Sequence, residues 1–253
     1  MSKTILMIHG MWGGGWIWDS FKTFFEKQGY ECMTPTLRHH ELSPDKPPHP
    51  DLGSLSINDY VNDMQSLIEK LDEPPIVIGH SMGGIICQKL AERNLVDKMI
   101  LASSAPPSDI SALSIGGFRS FRPLLSTWQF WSKAHRPTFN SMVYSSMQLI
   151  PKKDRQGYYD KIVYDSGQAL LEIAVPYLDS DKVTQVNTDL VVCPTMVLAA
   201  GKDKLIPLSA TRGVAKKYNA DFTLFKKQTH WLIVEPGWET VAQSVLSWLQ
   251  MQE

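Results

Sequence analysis

The stretch that decides the fold is "PIVIGHSMGG", residues 75–84. An apolar run behind Pro75 enters Gly79-His80-Ser81-Met82-Gly83-Gly84, where three glycines surround one serine. Glycine costs backbone entropy inside regular elements, so this clustering marks a bend rather than a strand interior. The run before it reads as a buried strand, with Pro75 at its first position, where proline is tolerated. The residues after it, from about Met82 to Glu92, read as a helix. Gly79-His80-Ser81-Met82-Gly83 therefore fits G-x-S-x-G in a strand–turn–helix setting. In such a turn a side chain at position 79 or 83 collides with neighbouring backbone, and Gly84 lets the helix pack close to the sheet. Ser81 Oγ is then exposed at the carboxyl end of the strand. It stands above a helix N-terminus, whose field favours negative charge.

On both sides of this turn, short apolar runs alternate with helical patterns. "TILMIHG", "YECMTPTL", "KMILASSAPP", "PTMVLAAG" and "DFTLFKKQTH" read as further strands. Trp18, Phe21, Phe24 and Phe25 share helical spacing and end at Gly29. Ser56 and Asp59 have capping-box spacing, ahead of an apolar face formed by Tyr60, Met64, Leu67, Ile68 and Leu71. A helix follows Pro207, and a last one starts near Pro236. Alternating strands and helices, with strands apolar on both faces, imply an α/β fold with a doubly wound, mostly parallel sheet flanked by helices. The alternation breaks at residues 107–190, which read as several helices with no clear strand and are rich in Phe, Trp, Tyr and Met. The expected organisation is a core of residues 1–106 and 191–253, with 107–190 inserted as a helical lid.

Composition narrows the function. The 253-residue chain is 43% hydrophobic and 20% charged, with a formal net charge of -1. No basic run or patch suggests a nucleic-acid partner. Cys32, Cys87 and Cys193 form no CxxC pair and read as buried, reduced thiols, which suits a reducing compartment. The first apolar run is too short for a signal peptide, and no run spans a bilayer. The expectation is a cytoplasmic protein.

Serine needs a base, and the base needs an orienting acid. Of the seven histidines, His230 ends the last strand-like run and falls on the same edge as Ser81. His80 adjoins the serine, but neighbouring side chains diverge. His39, His40 and His49 lie in a loop without recognisable metal-ligand spacing and read as solvated. His135 lies in the insertion, and His9 closes the first strand as a structural loop residue. For the acid, Asp203 directly follows a strand; its rival, Asp109, comes after a Pro-Pro pair leading into the insertion. Ser81, Asp203 and His230 have the order Ser…Asp…His, each at a strand end.

With these motifs assembled, the sequence resembles the α/β-hydrolase family over its whole length. "HGMWGGGWIW" is similar to the family's H-G-x loop, "GHSMGG" to its nucleophile elbow, "AGKDKLIP" to its acid loop and "THWLIVEP" to its histidine loop. The resemblance implies Ser81 as nucleophile, His230 as base, Asp203 as orienting acid and residues 107–190 as a helical cap. Within the family, "MIHGMWGGGWIW" is similar to small plant methyl esterases and hydroxynitrile lyases. The lyases carry a lysine directly after the catalytic histidine; Trp231 stands there and argues against cyanohydrin chemistry. Thr229 replaces the common glycine before the histidine. Dehalogenases and epoxide hydrolases of the family place aspartate at the elbow, so Ser81 argues against both.

The expected function is a cofactor-free, metal-free serine hydrolase acting on small carboxylic esters through an acyl-enzyme. Backbone N–H groups of Met11 and Met82 would form the oxyanion hole. Trp12, Phe118, Phe121, Trp128, Phe130, Trp131, Met142 and Met147 are the candidates to line the pocket, which would favour apolar or aromatic groups. Carbon–carbon bond hydrolysis or lactone opening on the same triad is the alternative chemistry. A ligand sensor on the same fold, without turnover, is the alternative class.

Overall fold

The computed structural model describes residues 3–252; Met1, Ser2 and Glu253, which the sequence reading places in the core, lie outside the described residues. The strands, in chain order, are β1 (Thr4–Ile8), β2 (Glu31–Met33), β3 (Ile76–His80), β4 (Lys98–Ala102), β5 (Ala134–His135), β6 (Asp165–Ser166), β7 (Thr195–Ala200) and β8 (Asp221–Phe225). The α-helices are α1 (Asp19–Glu26), α2 (Ile57–Ile68), α3 (Met82–Glu92), α4 (Ile115–Leu125), α5 (Phe139–Ser145), α6 (Arg155–Tyr159), α7 (Gly167–Ala174), α8 (Leu208–Lys217) and α9 (Trp238–Met251).

Six strands form one sheet in the order β2-β1-β3-β4-β7-β8, and every neighbouring pair is parallel. Side chains alternate between its faces with the period of two that pleating dictates. Leu6, Ile8, Val77, Met99, Leu101 and Val197 face one side, where Val61, Met64, Ile85, Leu90 and Val214 of α2, α3 and α8 cover them. Ile5, Met7, Ile76, Ile78, Ile100, Met196 and Leu198 face the other, under Phe21 and Phe25 of α1 and Val241, Val245 and Trp248 of α9. Strand β3 is buried along its whole length, and each Ile or Val side chain removed from water there contributes about 1.5–3 kcal/mol. Helix α2 starts as its sequence suggests. Asn58 N–H donates to Ser56 Oγ at 3.2 Å and Ser56 N–H to Asp59 Oδ2 at 2.8 Å.

Some elements are shorter than the apolar runs imply. The second strand stops at Met33 because Pro35 has no N–H for the ladder. The last strand stops at Phe225, and a loop carries the chain on to His230. Residues 107–190 hold α4 to α7 and also a two-stranded antiparallel sheet, β5 with β6. That pair corrects the purely helical reading. Two-residue strands give no alternation to detect, and their pairing bridges Ala134 to Ser166 and His135 to Asp165. Cys193 is partly exposed rather than buried, and all three cysteines are free. Among the described residues no helix is long and apolar enough to cross a membrane.

Candidate active site

The turn after β3 has the geometry that its glycines suggest. A Cβ on Gly83 would strike the Ile8 carbonyl, and one on Gly79 would strike the Gly83 carbonyl. Ser81 sits at φ +53°, ψ -118°. Conformations this sparsely populated cost about 1–3 kcal/mol and persist only where the surroundings impose them. Backbone bonds do so here. Ser81 N–H donates to Ala102 O at 3.2 Å, and Ser81 O accepts from Gly84 and Ala105 N–H at 2.9 Å each. Met82 opens α3, so its N–H has no intrahelical acceptor.

The loop after β1 supplies the opposite wall. Gly13 N–H donates to Gly10 O at 3.3 Å, closing a turn in which Trp12 has φ +62°. Trp12 N–H is taken by Asp165 Oδ2 at 2.8 Å. Among the described residues the N–H of Met11 meets no protein acceptor, and Met11 lines the cavity. His9 is buried and its ring bonds fix its tautomer. Leu37 N–H can only donate to Nε2, at 3.0 Å, so Nδ1 carries the proton and donates to Gly10 O at 2.8 Å. Burial and the neighbouring His40 pull its pKa down to about 3.

Asp203 follows β7, as its position after an apolar strand suggests. Its Oδ1 accepts from Leu205 N–H at 2.8 Å and Ile206 N–H at 3.0 Å, which leaves Oδ2 to accept from His230 Nδ1–H at 2.8 Å. Both side chains of this pair are buried. The rival acid, Asp109, instead pairs with Lys217 Nζ at 2.5 Å on the surface. The histidine loop is pinned by buried Glu235, whose carboxylate accepts from both the N–H and the hydroxyl of Thr229. Burial raises the Glu235 pKa. His80 is turned to the histidine loop, where its Nε2–H donates to His230 O at 2.8 Å.

A cavity of about 660 Å³ opens at this edge of the sheet. Ser81, His230, Met11 and Met82 all face it. Of the proposed pocket residues, Trp12, Phe118, Phe121 and Met142 line it. The other four lie elsewhere. Trp128 is 79% exposed, because Gln129 in left-handed conformation turns the chain outward there. Trp131 is 41% exposed and packs edge-on against Phe130. Phe130 is buried beside His135, and Met147 is buried with Ile150 and Ile162 inside the inserted segment. Ile110, Leu170, Ile173, Val175 and Ile206 line the cavity instead. These aliphatic residues resemble ordinary core positions in the sequence and carry no separate signal.

Two residues were not legible as site neighbours. His40 is 3% exposed, not solvated, and its Nε2 lies 2.9 Å from Asp165 Oδ2. The two are 125 positions apart, beyond the reach of any local pattern. His39 and His49, by contrast, stack on each other at 3.7 Å in their loop.

The model of the alpha/beta hydrolase family matches residues 5–243 of the chain. The chain belongs to that family. Its parallel sheet, flanking helices and serine-bearing turn are those of that family's fold. It is 28% identical over 134 residues to a carbendazim hydrolyzing esterase of Nocardioides sp. strain SG-4G, a match spanning 46% of this chain and 53% of that one. The chain thus spans about half the length of that relative. Among solved structures it is similar to a methylesterase of Arabidopsis, with a TM-score of 0.73 at 13% identity over 98% of this chain and 99% of that one. It is likewise similar to a pyrethroid hydrolase of Sphingobium faniae JZ-2, with a TM-score of 0.73 at 16% identity over 98% and 97% of the two chains. At these identities the likeness to the solved structures concerns the fold.

Proposed function

We propose that the protein is a cofactor-free serine hydrolase that cleaves small apolar carboxylic esters. The observation that carries this reading is one shared cavity. Ser81, His230 and the N–H-bearing residues Met11 and Met82 all border it, and Asp203 lies 2.8 Å behind the imidazole. In this mechanism Ser81 Oγ attacks the ester carbonyl while His230 Nε2 takes the hydroxyl proton. The carbonyl electron pair moves onto oxygen, where the Met11 and Met82 N–H groups receive it. Each such donor lowers the barrier by about 3–4 kcal/mol. The proton passes from His230 to the leaving alkoxide, and an acyl-enzyme remains. Water, deprotonated by His230, then releases the acid. Asp203 keeps the Nδ1–H tautomer and stabilises the imidazolium.

Residues 107–190 act as a cap in this reading, because Phe118, Phe121, Met142 and Leu170 roof the cavity. The aliphatic and aromatic lining favours uncharged substrates, in keeping with relatives named for carbendazim and pyrethroid hydrolysis. A panel of p-nitrophenyl esters of graded acyl length tests the proposal, with vinylogous diketones and lactones alongside. Apolar esters are expected to turn over fastest, and Ser81→Ala is expected to lose nearly all turnover while staying folded. Faster turnover of diketones or lactones than of any ester would overturn the ester assignment.

A further inference from the structure

Trp12 is gripped from three directions by residues 107–190. Its N–H donates to Asp165 Oδ2 at 2.8 Å, its carbonyl accepts from Val163 N–H at 3.0 Å, and its Nε1–H donates to His135 O at 3.0 Å. Asp165 and His135 face each other across the β5–β6 pair. Asp165 has no solvent exposure, and no step of the proposed chemistry uses it. A buried carboxylate is costly unless its oxygens are occupied. Here Oδ2 also lies 2.9 Å from His40 Nε2, and Oδ1 accepts from Ser166 N–H at 2.7 Å and Tyr60 Oη–H at 3.4 Å.

The turn it holds needs an external hold. Trp12 occupies the left-handed region, which glycine normally fills in such turns. Two adjacent peptide planes are fixed from opposite sides. The Gly10–Met11 plane is held by His9 Nδ1–H and Gly13 N–H on the Gly10 carbonyl. The Met11–Trp12 plane is held by Asp165 on the Trp12 N–H. The Met11 N–H belongs to the first of these planes, the second adjoins it at the Met11 Cα, and Met11 lines the cavity.

We propose that Asp165 is a positioning residue: from the inserted segment, with His40 as its buried counterion, it aims the Met11 N–H at the developing oxyanion. This rests on the reading of Ser81 as nucleophile and Met11 as oxyanion donor. The inserted segment is then part of the catalytic frame as well as a roof over it.

The test compares a trifluoromethyl ketone with the methyl ketone carrying the same apolar tail. The fluorinated ketone adds Ser81 Oγ to its carbonyl carbon. The π pair becomes an oxyanion in the hole, and the serine proton moves to His230. The methyl ketone senses only the cavity. Asp165→Asn keeps the side-chain shape but turns an NH2 toward either the Trp12/His40 donors or the Ser166/Tyr60 donors. It is expected to weaken trifluoromethyl ketone binding about tenfold or more and to leave methyl ketone binding within about twofold. It is also expected to speed hydrogen exchange at the Trp12 amide. Equal loss for both ketones, or none for either, would overturn the proposal. Should Asp165→Asn not fold, His40→Ala takes its place. It removes the counterion and is expected to lower the fluorinated-to-methyl preference about fivefold; an unchanged preference would overturn the proposal. Ser81→Ala separates the two readings. A preference kept in Ser81→Ala sinks the nucleophile, and the Asp165 role with it. A preference lost in Ser81→Ala but kept in Asp165→Asn overturns the Asp165 role alone.

Discussion

His80 donates its Nε2–H to the main-chain carbonyl of His230 at 2.8 Å, and the two rings lie 4.9 Å apart. The residue before the serine thereby fastens the histidine loop to the elbow. Replacing His80 by Ala leaves a buried carbonyl unpaired, so the expected stability loss is about 1–3 kcal/mol. His80→Gln, which keeps an N–H donor, is expected to lose less. Urea denaturation of the three proteins at pH 7 measures this.

The same histidine gives a pH signature. Burial, helped by the nearby His230, depresses the His80 pKa to about 3. The unfolded chain then takes up the proton first, so stability is lost as pH falls from 6.5 toward 3. Each such group contributes up to about 1.4 kcal/mol per pH unit. Between pH 6.5 and 5 the wild type is expected to lose about 2 kcal/mol more than His80→Gln. Equal slopes in the two proteins would contradict the neutral, clamped ring.

The His40–Asp165 pair has the opposite sign on its basic side. Burial alone would lower the His40 pKa, but the Asp165 carboxylate outweighs it and the pKa is raised. Its contribution is present below 6.5 and fades as pH rises through the raised value. Burial alone would raise the Asp165 pKa, but His40 and the N–H groups of Trp12 and Ser166 lower it, so its share is present above 3.8 and fades in acid. The pair is therefore worth most between those two limits. A melting-temperature series of wild type and His40→Gln is expected to show its widest gap near pH 5.5 and a narrowing gap toward pH 9. A gap that widens with rising pH would contradict the charged pair.

Glu235 supports the loop that carries His230 through its bonds to Thr229. Glu235→Ala strands the Thr229 N–H and hydroxyl and is expected to cost about 2 kcal/mol. With His230 less firmly held, kcat is expected to fall about tenfold while KM changes little. Glu235→Gln retains an acceptor and is expected to recover most of both losses. Steady-state kinetics with one ester substrate and thermal melts of both variants check this.

Much of the fold was legible, for a local reason at each place. Glycines at 79 and 83 sit where only a hydrogen fits between backbones. The helix after them runs Met82–Glu92 as its pattern suggests, and Asp203 and His230 occupy the same edge of the sheet as Ser81. The illegible parts are those that no short window contains. The solvated look of "RHHELSPDKPPHP" hid His40, whose partner arrives from β6. The exposed Trp128 and Trp131 looked like lining because aromatic composition does not say which way a loop turns. His80 and Glu235 could be flagged only as polar residues inside apolar runs, since their acceptors and donors lie in backbone brought together by folding.

The central claim, that Ser81 is the nucleophile activated by His230, is tested most directly by a fluorophosphonate probe and peptide mass mapping. The account predicts stoichiometric labelling on Ser81, none in Ser81→Ala, and labelling slowed about a thousandfold or more in His230→Ala. Unlabelled Ser81 in active wild-type enzyme, or undiminished ester turnover by Ser81→Ala, would contradict it.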